Sequence, residues 1–192
     1  MANSGAGSRG SGFEGGAERR AAGVLLLEGL SGFRGLDFLW PRNVRGFGGT
    51  VAAGTLEEIP EAGGPPREFF EGQLWLVHLD AADVGENGSG GRSGLLALWK
   101  RCPHLGCSVP WVAAGKAPPG FSERAWFQCP CHGSTYTRAG VRVYGPAPRS
   151  MDTMAIAIDA DGRIVVDTGS RQAGGVDNPR RAVPAEPGAR SA

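Results

Sequence analysis

The chain has 192 residues with 33 Gly and 14 Pro, so about a quarter of it favours turns, a share that borders on low complexity. Hydrophobic residues still make up 41% and the formal net charge is +1, which excludes a disordered polyelectrolyte, and no Gly-X-Y period appears, which excludes collagen. Near-neutrality gives no electrostatic ground for nucleic acid or anionic lipid as a partner, and the length fits one domain of roughly 100–150 residues with tails.

Residues 1–23 hold seven Gly and a single aromatic residue, and read as a disordered arm with too little apolar area to offset chain entropy. Val24 to Leu30 is the only candidate export or membrane segment. A spanning helix needs roughly 20 apolar residues, and this run is cut by Glu28 and Arg34, so as written it does not span. Arg19-Arg20 ahead of it resembles a twin-arginine signal, but a short amphipathic packing segment is the simpler reading. Residues 24–168 are then expected to hold the fold.

Gln73–Leu79 and Leu95–Trp99 are short apolar runs bounded by turn residues, and read as strands separated by the Gly-rich loop from Gly85 to Gly94. Ala125–Gln128, Met154–Ile158 and Arg163–Val166 read as further strands. The last two flank Asp159-Ala160-Asp161-Gly162, a hairpin turn signal. Many short strands and almost no helical periodicity predict an all-β antiparallel sandwich or barrel. From Gly169 to Ala192 no aromatic residue occurs, and this stretch is expected to be a disordered tail.

The chain has four Cys and three His, and six of these seven fall within 31 consecutive residues. Two segments carry them: Cys102-Pro103-His104-Leu105-Gly106-Cys107 and Cys129-Pro130-Cys131-His132-Gly133-Ser134. Both contain Gly and Pro and each follows a predicted strand, so both should be tight loops. Subsets of four would satisfy tetrahedral zinc. If instead each loop gives one Cys and one His, two thiols remain, one per loop, free to join as a disulfide. That division matches a [2Fe–2S] centre in which two His replace two Cys on one iron.

The segments resemble the two cluster-binding boxes of the Rieske iron–sulfur proteins, and within that family those of the cytochrome bc-type quinol oxidoreductases, whose boxes carry the two additional cysteines. The resemblance is strong over residues 95–150. It implies a Rieske-type antiparallel β-sandwich with a small cluster-binding subdomain at about 100–150. It also implies one [2Fe–2S] cluster, with Cys102 and Cys129 on one iron, His104 and His132 on the other, and a Cys107–Cys131 bridge. Ser134 and Tyr136 stand where the family places hydrogen-bond donors to the cluster, and such donors raise the potential by stabilising its reduced form. Gly145-Pro146-Ala147-Pro148 resembles the family's proline loop, which shields the cluster and is stiffened by its prolines. Leu105 should lie near the tip as part of an apolar docking patch. His78, in an apolar strand outside both boxes, is expected to be structural. Pro103 replaces the usual Thr of the first box, and the insert 108–128, with Trp111 and Pro118-Pro119-Gly120, has no assigned role.

The resemblance further implies an electron carrier that works with a cytochrome b subunit and quinol and passes its electron to a c-type cytochrome or similar acceptor. His132 would contact the quinol and take part in proton-coupled transfer, giving a potential that falls as pH rises. A disulfide is unusual in a reducing cytosol, so the outer face of an energy-transducing membrane is the expected location. Rieske subunits of bc complexes are normally tethered by one transmembrane helix. The absence of such a helix here leaves a second reading, a soluble electron-transfer subunit of another oxidoreductase such as an arsenite-oxidase-type molybdenum enzyme. Trp40-Pro41-Arg42 falls near where a tether would meet the head.

Overall fold

The strongest apolar runs lack strict alternation because both of their faces are buried. In the computed structural model, which describes residues 48–85, 91–112 and 126–191, Leu74–Leu79 forms β3 and Gly94–Trp99 forms β4, paired antiparallel in unbroken register. Leu74, Leu76, Leu95 and Ala97 enter one core with Met154, Ile156, Ile158, Ile164 and Val166. The alternate residues Trp75, Val77, Leu79, Leu96 and Leu98 enter a second core with Cys102, Val109, Phe127, Cys129 and Tyr136. Side chains of a strand point alternately to its two faces. The same two strands therefore build the body of the large sheet and the floor of the region that carries the cysteines.

The large sheet has six antiparallel strands in the order β1-β10-β9-β4-β3-β2, formed by Thr50–Thr55, Arg163–Gly174, Ser150–Ile158, β4, β3 and Arg67–Phe69. The smaller sheet has four: β5 (Trp111–Val112), β6 (Trp126–Gln128), β7 (Thr135–Tyr136) and β8 (Arg142–Tyr144). One short helix, α1 (Ala81–Gly85), follows β3. Asp80 and Asp83 open it with reciprocal side-chain acceptance of each other's backbone N–H, at 2.9 and 3.0 Å. These contacts hold the Asp80 carboxyl below its ordinary value, led by the hydrogen bond from the Asp83 backbone. The β9–β10 turn is closed by Asp159, whose Oδ1 accepts the N–H groups of Asp161 and Arg163. The all-β architecture is as expected, with one sheet for the body and one for the subdomain.

The segment from Gly169 corrects the expectation of a disordered tail. Strand β10 runs on to Gly174, a 3-10 turn follows at Asn178–Arg181, and Val183 exchanges two backbone hydrogen bonds with Leu95 at 2.7 and 2.8 Å. Ala182, Val183 and Asn178 are buried. Asn178 Nδ2 donates to Ala139 O and Met151 O at 3.1 and 3.0 Å, and its Oδ1 accepts from Gly175 N at 3.0 Å. Backbone pairing and one amide side chain hold this segment, so it needs little apolar content to be ordered. The arm 1–23, the segment Val24–Leu30, Trp40-Pro41-Arg42, Ala125 and residues 113–124 of the insert lie outside the described residues. Among the described residues no helix is long and apolar enough to cross a membrane.

His78 has the structural role expected: its ring shares a hydrogen bond with Pro60 O through Nδ1 at 2.9 Å.

Candidate metal centre

Each cysteine–histidine segment is the tip of a hairpin. The first is cinched below by Val109 N–H to Lys100 O at 2.8 Å and anchored to β3 by Trp75 Nε1–H to Val109 O at 2.9 Å. The second joins β6 to β7, in register from Phe127↔Tyr136 to Gln128↔Thr135. The two tips share one backbone frame. Cys102 N–H donates to Cys107 O and Cys129 N–H to Ser134 O, both at 2.8 Å. Gly106 N–H donates back to Cys102 O at 2.9 Å and Gly133 N–H to Cys129 O at 3.0 Å. Gly106 and Gly133 both take positive φ, +79° and +73°, which is why Gly stands fifth in each segment.

On this frame Cys102 and Cys129 occupy equivalent first positions, and both are buried, with no disulfide partner. Cys107 and Cys131 are joined to each other, with Cα atoms 6.6 Å apart, so the bridge pins one tip to the other. The His104 and His132 rings lie edge to face with centroids 4.9 Å apart. His104 is half-buried and His132 exposed. The sulfurs of Cys107, Cys129 and Cys131 lie within 4.8 Å of one another. Two of these are spent on the bridge, which leaves Cys129 as the thiol of that group able to bind metal.

The two pinned loops thus carry two buried free thiols, Cys102 and Cys129, and two imidazoles in ring contact, His104 and His132. Burial pushes the Cys129 thiol up from its ordinary value, with the neighbouring Cys102 adding to the effect. A buried thiol so placed resists ionising on its own, and a bound cation reverses that preference. Tyr136, fully buried, places its hydroxyl 3.1 Å from Cys102 Sγ. Burial first, and then the hydrogen bond and charge of Cys102, raise the Tyr136 phenol well above its ordinary value, so it stays protonated and able to donate to a thiolate. These residues fit an asymmetric cluster with sulfur ligands on one iron and nitrogen ligands on the other.

The segment Gly145–Pro148 packs against the second tip. A Cβ on Gly145 would lie 2.4 Å from Ser134 Cα, and the residue has φ +94°, so Gly alone permits the approach. Ala147 N–H donates to Ser134 Oγ at 3.0 Å, which leaves the buried Ser134 hydroxyl hydrogen available to donate. Pro146 and Pro148 face solvent while Ala147 is buried. Leu105, 70% exposed, stands at the first tip and Tyr144, 55% exposed, precedes the Gly-Pro segment.

Sequence reasoning missed the support beneath these loops. Arg138, two residues after Tyr136, pairs with the buried Asp83 of α1 at 2.5 Å, and its guanidinium lies over the Trp111 ring at 5.8 Å. Trp111 meets Phe127 edge-on at 5.0 Å, and Phe127 meets Trp75 at 5.6 Å. Trp111, in the insert without an assigned role, therefore belongs to the floor of the site. Its aromatic character was the available signal, but the pairing with Arg138 depends on the fold.

The model of the Rieske [2Fe–2S] domain matches residues 51–156. The cytochrome b6-f complex iron-sulfur subunit of a Synechococcus strain is 41% identical over 78 residues, 41% of this chain and 38% of its own length. That of a second Synechococcus strain is 34% identical over 129 residues, 65% of this chain and 66% of its own. The chain thus covers less than two thirds of either relative. A crystal structure of the plasma-membrane Rieske protein of the cyanobacterium Synechocystis aligns over 61% of this chain and 98% of its own, at 25% identity and a TM-score of 0.40.

Proposed function

The chain belongs to the Rieske [2Fe–2S] family, whose domain binds one [2Fe–2S] cluster for electron transfer, and on that footing we propose that it takes an electron and a proton from a quinol. In this reading it serves a cytochrome bc-type complex, beside a cytochrome b subunit on the outer face of an energy-transducing membrane, and passes the electron to a c-type cytochrome or similar acceptor. Cys102 and Cys129 hold one iron, and His104 and His132 the other. When bound, the cluster supplies a one-electron acceptor with neutral imidazole ligands, which favour a high potential.

The observation that carries the quinol reading is the asymmetry of exposure around the site. Both free thiols are buried, whereas His132 is exposed, as are Leu105 on the first tip and Tyr144 at the end of β8. A hydrophobic alcohol with an acidic hydroxyl would find there an apolar surface and one nitrogen base. The His132 imidazole accepts the hydrogen bond and then the proton of the quinol hydroxyl. Tyr136 and Ser134 are donors that add no charge, and the Cys107–Cys131 bridge keeps the two imidazoles together.

The test is the midpoint potential of the purified holoprotein against pH, with copurification from washed membranes. Coupled uptake of one proton per electron gives a fall of about 59 mV per pH unit in the alkaline range. A flat potential there overturns the proton-coupled role of the imidazoles. Recovery in the soluble fraction without a b-type cytochrome shifts the reading to a soluble partner of another oxidoreductase.

A further inference from the structure

The segment that departs from its expected disorder also builds a second site. Arg92, Arg180, Arg181 and Arg190 line a cleft of about 340 Å³ beside β9, with Thr153 and Ser191 on its walls. That volume is at the small end of the range for ligand clefts and larger than a bare phosphate. Asp177 is the one carboxylate among the lining residues, and Arg181 holds it with Nη2 at 3.1 Å from both oxygens. The other terminal nitrogen of Arg181 donates to Thr153 Oγ1 at 3.1 Å and Ala173 O at 2.9 Å, so this guanidinium is fixed in place. Among the described residues no carboxylate pairs with Arg92 or Arg190. Ser191 Oγ accepts Ile156 N–H at 2.9 Å, which leaves its hydroxyl hydrogen to donate.

Arg92 and Arg190 thus bring to one cleft two guanidinium groups with no carboxylate partner among the described residues, on a chain whose whole net charge is +1. Guanidinium groups are planar forks suited to the paired oxygens of phosphate and carboxylate. The forks of Arg92 and Arg190, lining the same cleft as the hydroxyl donor of Ser191, offer more donors than the two oxygens of a flat carboxylate use and suit a tetrahedral anion with several oxygens. We propose that this cleft binds a phosphate-class oxyanion, carried either by a small phosphate compound or by an anionic lipid headgroup. The site lies outside the cysteine–histidine loops, so its fate is separate from that of the electron-transfer reading.

The full-length holoprotein is titrated with inorganic phosphate at constant ionic strength against a chloride control, with thermal unfolding and calorimetry as readouts. The expected result is a saturable rise in melting temperature with phosphate alone, since a ligand that binds the native state stabilises it by mass action. The double variant Arg92→Gln/Arg190→Gln keeps its cluster absorption and loses about tenfold or more in phosphate affinity. Sedimentation with phosphatidylglycerol vesicles then separates the sources. Binding that phosphate competes away and the double variant loses identifies a headgroup, and a phosphate response without vesicle binding identifies a small compound. A response no greater than that to chloride, an unchanged response in the double variant, or binding of polyglutamate but not phosphate overturns the proposal.

Discussion

Replacing Asn178 with Ala tests whether the C-terminal segment is part of the fold. The side chain is fully buried and makes three hydrogen bonds: two from Nδ2, to Ala139 O and Met151 O, and one accepted by Oδ1 from Gly175 N. Ala139 closes the turn beyond Tyr136 and Met151 opens β9, so one amide ties the site-bearing sheet to the large one. An orphaned buried polar group costs about 1–3 kcal/mol. Gly175 is half-buried and water can reach its N–H. The two carbonyls then dominate, and the expected loss is about 2–4 kcal/mol, a large share of the 5–15 kcal/mol typical of a domain. With a urea slope near 2 kcal/mol/M, the midpoint should fall by about 1–2 M with the slope unchanged. Tryptophan fluorescence and the visible circular dichroism of the cluster should move together. Val176→Ala, two residues away and 69% exposed, should stay within about 0.5 kcal/mol of the parent. A midpoint shift in Asn178→Ala no larger than that of the control refutes the clamp, and with it the claim that this segment is structural.

Tyr136→Phe removes the hydroxyl 3.1 Å from Cys102 Sγ and should lower the cluster's midpoint potential by about 20–60 mV, as a differential of ~0.5–1.4 kcal/mol implies for one electron; a spectroelectrochemical titration reads it, and an unchanged potential removes Tyr136 from the tuning residues. Gly145→Ala places a methyl 2.4 Å from Ser134 Cα at a positive φ, and should cost at least ~1–2 kcal/mol and speed bleaching of the cluster, followed by its visible absorption; parent-like bleaching would show that the loop does not shield. Asp80 has a folded-state value below its unfolded one, so its contribution to stability is complete above the ordinary carboxylate range and is lost as pH falls through the lowered value. Asp80→Asn should therefore be less stable than the parent near neutrality and show a shallower loss of stability below about pH 4, measured by urea unfolding across the acid range.

The two cysteine–histidine loops stood out because metal chemistry restricts residue types, and Cys102, His104, Cys129 and His132 stand at spacings that few other sites would need. The floor strands were legible for a related reason: Leu74–Leu79 and Leu95–Leu98 are apolar on both faces because each serves two cores. Strands β1, β2, β5, β7 and β8 went unread, being short or half-exposed and stabilised by pairing rather than by composition. The C-terminal segment was misread on the same ground. Its order comes from Asn178, from Val183 bonded to Leu95, and from β10 continuing past two irregularities in register. None of these leaves a hydrophobic period.

What the spacing alone hides is the relation between the two tips. Because they share one backbone frame, their first-position cysteines are equivalent and present matching thiols from the two sides. The histidines are not equivalent. His104 stands third in its segment and His132 fourth, while the bridging cysteines stand sixth and third. An offset of one residue on a tight turn changes the direction in which a side chain leaves the backbone. One imidazole is accordingly half-buried and the other open to solvent, although both rings meet at 4.9 Å. The frame thus gives a symmetric sulfur side and an asymmetric nitrogen side. This asymmetry leaves His132 as the more accessible of the two imidazoles, as the proposed quinol contact requires.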